Sequence, residues 1–203
     1  MNFENNIFLN IKEEKENLKN AIKTFSYKEN HNELFTLASG KKSPYYFDLK
    51  QTLLQPIYLR AAGSCMLYLI QEKLGKLPKA AAGLTMGADP LIYSISLLTA
   101  EINEPILPII VRKQEKDHGS QKKIEGLLNK IKNINNEEIV LIDDVITTGG
   151  STLKAYEAIK EAGIPVKYAF CVLNRFEGGS ENLMKHNIEL FSLFNLDDFR
   201  ASI

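Results

Sequence analysis

Residues 139–152 read IVLIDDVITTGGST. An apolar run ends in two adjacent carboxylates, Asp143 and Asp144. A short apolar step, Val145 and Ile146, then leads into Thr147, Thr148, Gly149, Gly150, Ser151 and Thr152. The second half of this segment is suited to an anion. N–H groups at a helix start have no partner within the helix, and the helix dipole adds partial positive charge there. Glycines let the backbone approach a phosphate closely, and the hydroxyls of Thr147, Thr148, Ser151 or Thr152 can add hydrogen bonds. Carboxylates beside such a loop repel a phosphate unless they face something else. The vicinal hydroxyls of a ribose suit them, as does Mg²⁺ held partly through water or substrate. A ribose 5-phosphate satisfies both halves. Gly150 or Ser151 alone would read as a helix cap, and Asp-Asp alone as a solvated strand end. The combination is what points to a ligand. The pattern is neither a Walker loop nor the GxGxxG dinucleotide fingerprint.

A second chemical stretch is RKQEKDHGSQKKIEG, residues 112–126. Arg112, Lys113, Lys116, His118, Lys122 and Lys123 crowd a segment with almost no apolar residue. Composition alone describes an exposed loop. In a chain that also carries a phosphate site, the same loop could close over a pyrophosphate. Lysines supply point charges and arginine a bidentate fork. Gly119 and Gly126 permit movement, so the loop would gate the site.

The elements that must position these residues follow from periodicity. Residues 11–25 space apolar side chains as a helix does, and 33–40 and 43–50 read as strands around a Gly-Lys-Lys turn. Pro56 opens a helix over 56–74. Then come a strand (79–85), a buried helix (88–102) and a strand (106–111) whose Pro108 favours an edge or an irregularity. Strand 138–143, helix 151–163 closed by Gly163, strand 166–173, helix 181–186, strand 188–194 and a short terminal helix complete the chain. Residues 129–138 form a polar connection. The strands are nearly continuous apolar runs, as expected of a parallel sheet covered by helices on both faces. Ligands bind beyond the carboxyl ends of such strands, where both chemical stretches fall.

Composition narrows the classes. The 203 residues are 44% hydrophobic and 25% charged, with 25 basic and 25 acidic side chains. A net charge of zero argues against a nucleic-acid binder working by bulk charge. Cys65 and Cys171 stand apart without metal or redox spacing, so they read as buried thiols of a reducing compartment. No signal peptide or membrane span is expected, and the cytoplasm is the expected location.

IVLIDDVITTGGST resembles the phosphoribosyl-pyrophosphate (PRPP) motif of type I phosphoribosyltransferases. In that family the two acids hold the ribose hydroxyls and the loop holds the 5-phosphate. The resemblance thus implies PRPP contacts from Asp143, Asp144, Val145, Ile146, Thr147, Thr148, Gly149, Gly150 and Ser151. The run from Arg112 to Gly119 resembles the mobile catalytic loop of orotate phosphoribosyltransferases, which join orotate to PRPP. It implies that Arg112, Lys113, Lys116 and His118 contact PRPP and pyrophosphate, and Asp117 also matches. In that family the loop reaches into the neighbouring subunit, which implies a homodimer. LASGKKSPYYFDLK (37–50) resembles the segment that caps the orotate ring. Tyr46 and Phe47 fall where the family has ring-contacting aromatics, with Ser39 and Lys42 as further candidates. Arg175 matches the arginine that binds the orotate carboxylate, and Thr147 also matches an orotate contact.

Two departures stand out. Ala38 replaces a lysine that many members carry, and AGLTMGADPL (82–91) lacks another. The second loop offers instead Thr85, Gly87 and Ala88, whose backbone N–H groups could face pyrophosphate. The resemblance spans about residues 30–195. It implies an α/β type I phosphoribosyltransferase fold: a parallel-rich sheet flanked by helices, with a small N-terminal hood. One domain over 1–203 is expected, the hood over about 1–50 and the core over about 51–203. The implied reaction gives orotidine 5′-phosphate for pyrimidine biosynthesis. The implied catalytic set is Lys113, Lys116, His118, Asp143 and Asp144, with Mg²⁺ as cofactor held mainly by PRPP and water. Orotate and PRPP are the implied partners besides a second subunit, with no nucleic acid and no membrane. The alternatives are a phosphoribosyltransferase for another base and a non-catalytic PRPP-binding regulator.

Overall fold

The computed structural model describes residues 10–36, 40, 42–113, 123–127 and 138–200. Helix α1 (Ile11–Ala21) buries Leu18 and Ala21 and runs into a π-helical turn, Ile22–Ser26, where the periodicity predicts continuing α-helix. Strands β1 (Tyr27–Glu29), β2 (Phe35–Thr36), β3 (Lys42–Ser43) and β4 (Tyr45–Phe47) follow. The expected hairpin exists only in part. β2 pairs with β3 for two residues, and β4 pairs antiparallel with β1. Pro44 separates β3 from β4, and the expected strand over 43–50 stops at Phe47 and gives way to a short helix, α2 (Lys50–Leu53). Proline lacks the N–H that a ladder needs, which accounts for the break.

The core begins with α3 (Pro56–Leu74), closed by Gly75 at φ 69°. β5 (Ala80–Leu84), α4 (Asp89–Ala100), β6 (Leu107–Val111), β7 (Ile124–Glu125), β8 (Ile139–Ile146), α5 (Gly150–Glu161), β9 (Tyr168–Asn174), α6 (Gly179–Met184) and β10 (Glu189–Asn195) complete it, with a 3₁₀ turn at Leu196–Asp198. The sheet order is β10-β9-β8-β5-β6-β7. The first five strands are parallel and β7 is antiparallel. Among the described residues β7 pairs only with Ile110 and Val111, so Pro108 lies beyond that short ladder on the outer side of β6, where its missing N–H costs no bond to β7.

Alternation along the strands divides the core. Val140, Ile142, Phe170 and Val172 face one cluster with α1, α3 and α4. Ile139, Leu141, Ala169 and Cys171 face the other with α5 and α6. This is the period-2 geometry of a sheet covered on both faces.

The sheet also fixes where a ligand can go. From β5 the chain proceeds to β6 on one side, while β8 leads to β9 and β10 on the other. The strand order therefore reverses between β5 and β8, and a crevice opens at such a point. Their pairing ends at Ala82 and Leu141, yet β8 continues beside β9 to Ile146. Asp143 and Asp144 thus lie inside β8, which runs three residues past the end expected at Asp143, on the stretch that has parted from β5.

Candidate active site

Three segments converge on the crevice: the loop after β5, the end of β8 with its turn into α5, and the turn after β9. Asp143 is buried. Its Oδ2 accepts from the Thr152 hydroxyl at 2.8 Å, and its Oδ1 accepts from the Asp144 N–H at 3.0 Å. Burial, with the Asp144 charge adding to it, pushes the Asp143 carboxyl up to about 8. Thr152 is therefore spoken for. It anchors an acid from the first turn of α5 and does not face the phosphate loop as the sequence suggested. Asp144 is half-buried, and its Oδ1 accepts from the Val145 N–H at 2.8 Å. A Cβ placed on Gly87 would lie 2.6 Å from Asp144 Oδ1. The acid therefore sits directly against the β5–α4 loop. That loop is braced by Thr85, whose hydroxyl donates to Asp89 Oδ2 at 2.7 Å and whose N–H bonds to Val111 O. The Thr85–Met86 peptide bond is cis.

Gly149 precedes α5 at φ 79°, in the left-handed region, and no side chain caps the helix. Its first N–H groups thus remain for a ligand. The loop is shaped from behind. A Cβ on Gly179, at the start of α6, would lie 2.4 Å from Ile146 Cγ2 and 2.7 Å from Thr147 O. The Asn182 side chain donates to Thr148 O at 3.0 Å. Sequence reasoning missed both residues. Gly178-Gly179 was the available signal, and it reads as an ordinary turn until its neighbour across space is known.

Arg175 follows β9, with its N–H bonded to Ile146 O at 2.9 Å. Only 4% of the residue is exposed. Its Nη2 donates to Ser43 Oγ and Tyr45 O, each at 3.2 Å, and lies 2.8 Å from Glu177 Oε1. The guanidinium stands 5.8 Å from the Phe47 ring centre. Burial pulls it down from its ordinary value, while the Glu177 charge opposes the shift. Arg175 thus stitches the hood to the core. Phe47 is buried against Tyr27 and Phe199, whereas Tyr46 points the other way and packs on Phe35. A cavity of about 510 Å³ beside this junction is lined by Lys42, Ser43, Arg175, Phe176, Glu177 and Arg200 among others. Asn174 holds the turn: its Oδ1 accepts from the Phe176 N–H and its Nδ2 donates to Ser180 Oγ.

Arg112 and Lys113 flank the basic loop. The Arg112 N–H bonds to Lys123 O at 2.9 Å, which extends the β6–β7 ribbon and fixes the two ends of the loop together. The Arg112 side chain lies 3.6 Å from Glu125. Both basic residues line a cavity of about 630 Å³ with Thr85, Asp89, Tyr93 and Glu125. Lys116, Asp117, His118 and Gly119 lie outside the described residues, as do Ala38 and Ser39. Lys50, unremarked in the sequence, pairs with Asp48 at 2.8 Å. The Asp48 hydrogen bond raises its ammonium, against desolvation, and Asp144 and Tyr46 add to the rise. A hood lysine therefore lies within electrostatic reach of the crevice.

No protein-family model matches the chain. Individual relatives do. The chain is 43% identical over 185 residues to the orotate phosphoribosyltransferase of Aquifex aeolicus, covering 91% of this chain and 97% of that one. It is 38% identical over 168 residues to that of Methanocaldococcus jannaschii, covering 83% and 88%. The crystal structure of Mycobacterium tuberculosis orotate phosphoribosyltransferase in complex with Fe(III) dicitrate superposes with a TM-score of 0.73. There the identity is 27%, over 93% of this chain and 99% of that chain. The sheet and its crevice are thus those of the type I phosphoribosyltransferase fold that the Asp-Asp-Thr-Thr-Gly-Gly segment implies. With such identity along nearly the whole of both sequences, the chain belongs to the orotate phosphoribosyltransferase family.

Proposed function

We propose that the chain transfers the 5-phosphoribosyl group of PRPP to orotate, giving orotidine 5′-phosphate and pyrophosphate in pyrimidine biosynthesis. One observation supports this most: the uncapped start of α5 and the Asp143–Asp144 pair share one crevice, with the braced β5–α4 loop directly against Asp144. The 5-phosphate takes the free N–H groups of Gly150 and Ser151, with the Thr147 and Thr148 hydroxyls beside them. Asp144 holds the ribose, while Asp143, which the sequence also assigns to it, is buried behind with both oxygens engaged and braces the turn. The loop at Thr85, Gly87 and Ala88 offers backbone to pyrophosphate from the opposite side.

Displacement at the anomeric carbon breaks the bond to pyrophosphate and forms one to the orotate ring nitrogen. Positive charge builds on the ribose as the leaving group departs, much as in glycoside hydrolysis. Asp144 favours that charge. Arg112, Lys113, Lys116 and His118 stabilise the departing pyrophosphate. Arg175 takes the orotate carboxylate, and Tyr46 and Thr147 flank the ring; Phe47, expected at the ring from sequence, is buried in the core behind the Arg175 guanidinium. Positioning and electrostatics supply the rate, and among the described residues no side chain is set as a covalent nucleophile.

Among the described residues no group of three or more His, Cys, Asp or Glu side chains could hold a metal. Both Asp143 oxygens are engaged, and Asp144 lies at the crevice with Oδ1 on its own loop. This donor set fits a Mg²⁺ carried by PRPP oxygens and water beside Asp144. When bound, the ion neutralises charge on the leaving group.

The chain acts as one domain in a homodimer whose basic loop serves the partner's site. The support is a set of exposed apolar side chains: Tyr93 and Leu97 one turn apart on α4, with Leu97 70% exposed, and Ile57 at the start of α3, 72% exposed. Among the described residues no helix is long and apolar enough to cross a membrane, and Cys65 and Cys171 are buried free thiols, which suits the cytoplasm.

The deciding experiment offers purified protein PRPP, Mg²⁺ and each of orotate, uracil, adenine, guanine and hypoxanthine. Loss of orotate matched by pyrophosphate release is expected. Turnover of another base would overturn the base assignment, and PRPP binding without turnover would make the protein a regulator. Mixed dimers of Lys116→Ala and Asp144→Asn subunits should regain activity; confirmed hybrids that stay inactive would sink the shared loop.

A further inference from the structure

A guanidinium with so little exposure needs a counter-charge and partners for its N–H groups. Arg175 meets that need unevenly. Ser43 Oγ, Tyr45 O and Glu177 Oε1 all converge on Nη2, which carries two hydrogens. Among the described residues the buried Nε–H has no hydrogen-bond partner, and neither has Glu177 Oε2. Arginine and glutamate left to themselves favour two parallel bonds. Here the carboxylate grips one nitrogen at one corner of the fork.

The chain invests in that grip. Asn174 receives the Phe176 N–H, and Phe176 takes φ 54°, a conformation that ordinary residues avoid. The turn places Phe176 in solvent at 61% exposure and brings Glu177 back over Arg175. The cavity they share is lined by Lys42, Arg175 and Arg200 with the carboxylate of Glu177, and Asp197 pairs with Arg200 at 2.9 Å, so cations still outnumber carboxylates there. An anion therefore still meets a positive wall with Glu177 in place.

We infer that Glu177 is a positioning residue for the carboxylate-bearing base. It fixes Arg175 by Nη2 against the hood and leaves the rest of the fork for the substrate carboxylate. This rests on the assignment of Arg175 to that carboxylate. Glu177 itself touches no substrate. It acts through the orientation of its neighbour, in the manner of partners that hold metal-binding or catalytic side chains.

The test is initial-rate kinetics with both substrates varied, for Glu177→Gln, Glu177→Asp, Arg175→Ala and the double variant Arg175→Ala/Glu177→Gln. Loss of one partner of a buried charge pair should raise the orotate KM of Glu177→Gln about tenfold or more, carried by KM rather than kcat. The PRPP KM should stay within about twofold, since the ion pair of Glu177 is with Arg175 and not with the phosphate loop. Glu177→Asp should recover part of the loss. The double variant should be no worse than Arg175→Ala alone, because a residue acting only through Arg175 has nothing left to position. An unchanged or lowered orotate KM in Glu177→Gln would overturn the inference, as would additive losses in the double variant. Arg175→Ala separates the two levels. If it spares the orotate KM, the assignment of Arg175 falls and this inference with it. If it raises that KM while Glu177→Gln does not, only the role of Glu177 falls. Calorimetric PRPP binding checks that each variant is folded. Should Glu177→Gln fail that check, the double variant, which leaves no lone buried charge, carries the comparison.

Discussion

The contact between Gly179 and the phosphate loop can be tested by a single methyl group. Gly179→Ala puts a Cβ 2.4 Å from Ile146 Cγ2 and 2.7 Å from Thr147 O. The second neighbour is backbone and cannot rotate away. Overpacking of this kind costs about 1–3 kcal/mol. Gly179 is the first residue of α6, so the helix-interior advantage of alanine over glycine, roughly 1 kcal/mol, is recovered only in part. The net loss of stability is therefore modest, and what matters is where the strain goes. The loop carrying Thr147 is the side free to yield, since Ile146 is held in β8 and α6 is packed against β10. If about 1–3 kcal/mol is taken from the phosphate site, PRPP affinity falls roughly 5- to 150-fold. Gly163→Ala is the control. Gly163 has φ 78° with nothing within 4 Å of a Cβ, so the substitution is strained by about 1–2 kcal/mol but lies beyond the far end of α5. Both variants should lose a few degrees of melting temperature, at about 2–4 °C per kcal/mol for a chain of this size. Calorimetric titration with PRPP should then separate them: Gly179→Ala binds weakly and Gly163→Ala normally. Wild-type PRPP affinity in a folded Gly179→Ala protein would refute the claim that α6 shapes the loop.

Asp143→Asn tests the buried acid. The folded state raises its carboxyl toward about 8, so its contribution is complete below the unfolded value near 4 and is lost as pH rises through the folded value. The Asn variant should gain melting temperature on the wild type between about pH 4 and pH 8 and level off above; parallel curves across that window would refute the shift. Thr152→Val leaves Asp143 Oδ2 without its donor, at about 1–3 kcal/mol, and should lower both melting temperature and PRPP affinity. An unchanged affinity would confine Thr152 to a structural role. Gly87→Ala pushes directly on the Asp144 carboxylate and should raise the PRPP KM more than the orotate KM, with the reverse order counting against the placement of the ribose.

Much of the core was legible in local pattern. Helix α3 begins at the predicted Pro56 and ends at the predicted Leu74, because proline and glycine punctuate it. The strands of the parallel sheet show as apolar runs since both faces are covered. The hood was less legible. Strands of two or three residues carry almost no periodicity, and Pro44 divides what reads as one strand. β7 has two residues and is defined only by its partner. The site divides along the same line. Asp143 to Ser151 are contiguous, so their types and spacing can be read together. Glu177, Gly179, Asn182 and Lys50 matter through neighbours distant in the chain. Thr152 shows the converse: a hydroxyl in the right stretch, turned by the helix onto Asp143.

The stitch between hood and core also sets an order of assembly. Arg175 bonds to residues 130 and 132 positions before it. Tyr27 and Phe47 close on Phe199, with ring centres 6.2 and 5.3 Å apart. During synthesis the hood leaves the ribosome early, but its native partners arrive only when β9 and the turn after β10 have been made. Its three-residue strands cannot stand alone in water. Tyr27 and Phe47 thus wait exposed through most of translation, with a long loop to close at the end. Closure of the hood on the core is consequently a late step of assembly, after the segments that carry the crevice have been made.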